Sequence, residues 1–282
     1  MKRKEKQKPP KKEGFFKQLQ NEFKRHKTTF IIYMVLRSLV ILIGIRLFIL
    51  GKYESVFLCL CTLVMFLIPA FVQKTFKVEL PSLLEGIVLF FIFAAEIMGE
   101  IGDYYVKYAF WDTMLHTTTG FLAAAMGLSL INILNNSERV QLHLSPLFVA
   151  LVSFCFSMTI GVLWEFFEFS ADMLLRTDMQ KDTVITGISS VLLNPEPVNV
   201  AVKINNITET MVNGEVLNVN GYLDIGLIDT MKDMFVNFIG AVVFSVFGYF
   251  YAKHPGKGTG SRIVEGLRMR RRTNQDDAEK IE

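Results

Sequence analysis

The sequence predicts an all-α membrane protein, a six-span transmembrane helix bundle with a small extracytoplasmic β-hairpin insertion. Three observations predict it. The chain of 282 residues is 51% hydrophobic, with 25 Phe and 13 Met. That apolar content is gathered into six runs near the length of about 20 residues needed to cross hydrocarbon. The formal charge of +3 hides strong segregation, with both ends basic and the middle richer in acids. Basic ends on an apolar body follow the positive-inside rule. No aromatic or motif pattern accompanies them, so a nucleic-acid partner is not expected.

Residues 1–28 form a basic cytoplasmic segment with eleven Lys/Arg against three Glu. Phe15, Leu19 and Phe23 lie at i, i+4 and i+8, a spacing that suits a short amphipathic helix on the membrane surface. A frayed linker is the plain alternative. The first apolar run starts near Thr29 and is too long for a cleavable signal peptide. The membrane domain spans residues 29–252, with expected helices at about 29–50, 55–72, 82–101, 110–134, 146–167 and 231–252. Pro146 opens the fifth run, where a first helical turn tolerates proline. An insertion at about 169–228 separates the last two spans, and the stretch from Asn199 to Leu223 alternates Val, Ile and Thr around Asn213–Gly214. Asn-Gly between such runs is a strong hairpin signal, so a hairpin or three-strand cap is expected at about 197–223. Residues 253–282 form a basic cytoplasmic tail. Cys59, Cys61 and Cys155 all fall in apolar runs and read as small hydrophobes rather than as a disulfide or metal framework.

Six spans place both termini on one side, and both termini are basic. The expected location is therefore the bacterial cytoplasmic membrane, with the N- and C-termini cytoplasmic. The same count of spans carries ten ionisable side chains to the opposite face: Glu96, Glu100, Asp103, Asp112, His116, Glu165, Glu168, Asp172, Asp229 and Asp233. Ionisable groups in or at the edge of hydrocarbon are costly, and their default reading is a site.

Spacing sharpens the set. Asp112 and His116 are i, i+4, as are Glu96 and Glu100, and Asp229 and Asp233; Glu165 and Glu168 are i, i+3. Groups three or four apart are neighbours on a helix, and like charges there call for a cation or a shared proton. At about 1.5 Å per residue, His116 lies about 9 Å inside the start of its span. Carboxylates with one imidazole and no nearby Cys suit a hard or borderline divalent metal ion. His116, Glu165, Asp229 and Asp233 are the expected metal ligands. Asp112, Glu168 and Asp172 are expected either to support those ligands or to act as acid/base groups, with Glu168 as general base. The competing reading is structural: Asp103 and Asp172 are expected at loops or the interface, and Asp229 and Asp233 sit where negative charge suits a helix dipole. Trp111 and Trp164 read as interfacial aromatics. Gly120, Gly127, Gly161 and Gly240 read as close helix-packing positions.

The segments "WDTMLHTTTGFL", "LWEFFEFSAD" and "GLIDTMKDMFVNFIGA" resemble the YjdF-type family of bacterial inner-membrane proteins. The likeness rests on Trp111, Asp112 and His116, on Glu165 and Glu168, and on Asp229, Thr230, Asp233 and Met234. It covers spans three to six and departs in the long insertion before Asp229. The resemblance implies a membrane protein with a shared polar site and supplies no reaction.

Together these features lead to an outer-face carboxylate/His site serving a metal-dependent hydrolase or transferase that acts on a lipid or envelope substrate. With no nucleophilic Ser or Cys motif, attack by metal-activated water is the simplest chemistry. A cation or small-solute transporter, and a structural membrane protein without catalysis, are the alternatives. The transporter would need polar groups continuing to the other half of spans four to six, where only Ser129, Asn132, Ser153 and Ser245 stand.

Overall fold

The computed structural model describes residues 27–135 and 144–271. The amphipathic helix expected around Phe15–Phe23, the second half of the basic tail, Arg139 and His143 lie outside the described residues. Among the described residues, six helices are long and apolar enough to cross a membrane. Their lipid-facing sides carry exposed Ile, Leu, Val and Phe along almost every span. Such a surface suits hydrocarbon and would be an aggregation liability in water.

The chain divides into two compact units. The first comprises residues 1–111, 128–146 and 250–282. It opens with α1 (Lys27–Ile49), followed by α2 (Tyr53–Met65) and α3 (Ile68–Phe76). The expected second span thus runs over Tyr53–Phe76, with a turn at Phe66–Leu67 dividing it into two helices. Pro69 sits in the first turn of α3, where its missing N–H costs nothing, and the chain bends just before it at Phe66–Leu67. After the short strand β1 (Val78–Glu79), α4 (Ser82–Phe93) continues into a π-helical turn at Ala94–Ile101. Leu36, Val40, Cys59, Phe66, Leu89 and Ile97 bury a common apolar core in this unit. The three cysteines are free thiols; Cys59 is buried in that core, but Cys155 is exposed on its span.

A short α5 (Tyr104–Lys107) precedes α6 (Trp111–Asn135), and α7 spans Pro146–Leu175. The expected end of the fifth span is residue 167. The helix runs eight residues further because Phe169, Met173, Leu174 and Leu175 continue it with no Gly or Pro to stop it. α8 (Leu227–Lys253) begins four residues earlier than expected. There Asp224 accepts the Ile228 N–H at 2.7 Å, satisfying one of the free donors of the first turn. The tail after α8 is not featureless: α9 (Gly258–Leu267) is followed by β8 (Arg270–Arg271), which pairs antiparallel with β1. Ser129 Oγ accepts the Met269 N–H at 3.0 Å, a tie the polar composition of the tail did not announce.

The second unit comprises residues 112–127 and 147–249. Between α7 and α8 it holds six short strands in three antiparallel pairs, beginning earlier than the expected 197–223. β2 (Val184–Ile185) pairs with β7 (Tyr222–Leu223), β3 (Gly187–Ser190) with β4 (Val202–Asn205), and β5 (Thr210–Val212) with β6 (Glu215–Leu217). The last pair is the Asn213–Gly214 hairpin. Both turn residues have positive φ, 54° and 87°, as a type I′ turn requires. The outer pairs were not legible because strands of two to four residues carry too little alternation to register.

Candidate functional site

The site grows out of three helices of the second unit. The first turns of α6, the last turns of α7 and the first turns of α8 each carry two ionisable residues on one face: Asp112 and His116, Glu165 and Glu168, Asp229 and Asp233. All six come together in this unit. His116 stands at the centre, its side chain only 12% exposed. Its Nε2 lies 3.5 Å from Asp112 Oδ1 and 3.7 Å from Asp233 Oδ2, and its Nδ1 lies 3.8 Å from Glu165 Oε1. One imidazole is therefore flanked by carboxylates at both ring nitrogens. Asp233 is 1% exposed, and Glu165, Glu168 and Asp229 are also buried.

Two overlapping triads bring one ligand atom per residue within 4.8 Å of the others: Asp112, His116 and Asp233, and His116, Glu165 and Glu168. Asp229 belongs to neither. Its Oδ2 accepts the Lys181 N–H at 2.8 Å, which ties the insertion to the start of α8. Gln180 strengthens that tie by donating from Nε2 to Thr230 Oγ at 2.5 Å. Glu165 Oε2 and Asp233 Oδ1 are buried with no hydrogen-bond partner among the described residues. Buried acceptors of this kind are uncommon and need an explanation.

Several surrounding groups were missed by sequence reasoning. Trp164, read as an interfacial aromatic, donates its indole N–H to Glu168 Oε1 at 2.8 Å and fixes that carboxylate. The i, i+4 spacing of Trp164 and Glu168 was the signal for it. Asp172, expected at a loop or the interface, organises the loop after α7: it accepts from the Thr177 hydroxyl at 2.7 Å and from the Met179 and Gln180 N–H groups at 2.7 and 2.8 Å. Asn237 continues the Asp229–Asp233 stripe by one more turn and is 2% exposed. Glu96, Glu100 and Asp103 belong to the first unit, where Asp103 pairs with Lys107 at 3.0 Å.

The helices approach closely because glycine permits it. A Cβ on Gly120 would run into the Asn237 backbone carbonyl, and one on Gly240 into that of Thr117. One on Gly161 would lie 2.5 Å from Asn237 Nδ2. Ser157 donates to the Gly120 carbonyl at 2.6 Å, a further link between α6 and α7. Carboxylates and one imidazole on facing helices are donor types that could hold a hard or borderline divalent cation.

The model of one family, described as predicted membrane protein, matches residues 30–254, which takes in all six spans and the insertion. The chain belongs to the DUF2238 family. No curated protein and no solved structure matches it. As a DUF2238 protein it is a multi-pass integral membrane protein, and the whole carboxylate/His set lies within the matched region.

Proposed function

We propose that this DUF2238 protein is a metal-dependent hydrolase or transferase acting on a lipid or envelope substrate at one face of the membrane. The observation that carries the reading is the His116 imidazole bracketed by buried carboxylates, two of whose oxygens, Glu165 Oε2 and Asp233 Oδ1, lack a donor among the described residues. A divalent cation neutralises such a set without requiring several protons. Asp112, His116 and Asp233, which meet at the Nε2 side of the ring, would hold the ion; Glu165 lies on the Nδ1 side, and Asp229 stands outside both triads. A divalent ion there would supply a polarised water, and Glu168, its carboxylate fixed by Trp164, would be the base that takes that water's proton.

The test is metal analysis of the purified protein. Wild type is expected to hold about one divalent ion per chain, and His116→Ala and Asp233→Ala to lose it, since first-row sites need their full ligand set. A wild type with no more metal than the variants rules the reading out. The orientation follows from charge: the basic termini are cytoplasmic and the site faces outward. Reporter fusions after residue 254 are expected to be active on the cytoplasmic side, and the opposite result reverses the assignment.

A further inference from the structure

The residue beneath the site is Asn237. His116, Glu165 and Asp233 come from three helices, and the next turn inward on each presents Gly120, Gly161 and Asn237. Gly161 leaves the gap that the amide fills, since a Cβ there would strike the Asn237 side chain, while Gly120 lets the Asn237 backbone come close, since a Cβ there would strike its carbonyl. The amide orientation is set by its nitrogen, which points at Met158 Sδ at 3.6 Å, a weak acceptor. Its oxygen, Oδ1, is buried with no partner among the described residues. It joins Glu165 Oε2 and Asp233 Oδ1 as a third buried acceptor without a donor. A carboxylate can resolve that situation by taking a proton; an amide oxygen cannot. Its need is met by a cation or by a water the cation carries.

We propose that Asn237 is the inner ligand of the cation site and sets which ion it takes, an inference that rests on the metal reading above. A neutral amide oxygen added to carboxylates and one imidazole makes a hard, oxygen-rich set. Such a set favours Mn²⁺ or Mg²⁺ relative to Zn²⁺, which is satisfied by fewer, softer donors. Gly161 is then a specificity feature as well as a packing feature, because any side chain there displaces the amide.

Titration of the purified full-length chain with Mn²⁺ and with Zn²⁺ tests it. Asn237→Leu keeps the volume and removes the oxygen; it is expected to weaken Mn²⁺ binding by about tenfold to a hundredfold and to lower the Mn²⁺-to-Zn²⁺ affinity ratio at least about tenfold. Asn237→Asp keeps the oxygen and adds charge, and is expected to tighten Mn²⁺ at least about threefold. If Asn237→Leu does not purify as a monodisperse protein, Asn237→Asp decides alone, and unchanged or weaker Mn²⁺ binding overturns the proposal. Wild-type affinities and an unchanged ratio in both variants overturn the role of Asn237 and leave the metal site standing. A wild type that binds neither ion overturns both.

Discussion

Placing alanine at both Gly120 and Gly240 is expected to cost about 3 kcal/mol or more of stability, at the upper end of what overpacking does. The reason is the nature of the obstacle. Each new Cβ meets a backbone carbonyl of the facing helix, Asn237 for one and Thr117 for the other, and no rotamer change moves a backbone. α6 and α8 must separate, and the separation carries His116 away from Asp233. Thermal unfolding of the detergent-purified variant should show a lowered midpoint together with lost metal binding. Gly86→Ala is the control. Its Cβ would only touch Ile32 Cδ1 at 3.4 Å, and it lies within α4, where alanine is the better helix former, so its midpoint should match or exceed wild type. A double variant as stable as wild type contradicts the close packing on which the site depends.

A saturating divalent cation should stabilise the wild-type protein in turn. Binding to the folded state alone adds about 2.7 kcal/mol when the free ion is a hundredfold above its Kd. That is enough to raise the unfolding midpoint by several degrees. The same addition should leave His116→Ala and Asp233→Ala unmoved, because each removes one member of the Asp112–His116–Asp233 triad. Chelation should return the wild type to its starting midpoint. Equal shifts in wild type and both variants would mean that the ion acts elsewhere, for example on the acidic loop around Asp172 and Asp178.

Much of this fold was legible because membranes impose a strong and simple pattern. Length and apolarity locate all six spans, and the Asn213–Gly214 hairpin is readable from two residues, since only such a pair accepts two successive positive φ angles. The boundaries were less legible. Polar side chains at Glu168, Asp172 and Asp229 look like span ends, yet the helices run through them, because their backbone hydrogen bonds are satisfied whether the side chain is polar or not. The bend at Phe66–Leu67 follows from Pro69, which the apolar run conceals. The β1–β8 pair joins residues nearly two hundred positions apart and leaves no local trace.

The site divides in the same way. Helical spacing picked out Asp112, His116, Glu165, Glu168, Asp229 and Asp233, and the second unit brings those six together. Spacing could not tell which oxygens stay unpartnered, nor that Asp229 is engaged by a loop backbone N–H from the insertion. It also passed over Asn237, although the stripe Asp229–Asp233–Asn237 is regular, because an amide carries no charge to draw attention in an apolar helix.

Pulsed EPR of the Mn²⁺-loaded protein tests the central claim most directly. If His116 is the imidazole ligand between the carboxylates of α6 and α8, the bound Mn²⁺ shows ¹⁴N modulation from one histidine, and His116→Ala abolishes it. A bound ion without nitrogen coupling in the wild type, or with coupling that survives in His116→Ala, contradicts the site.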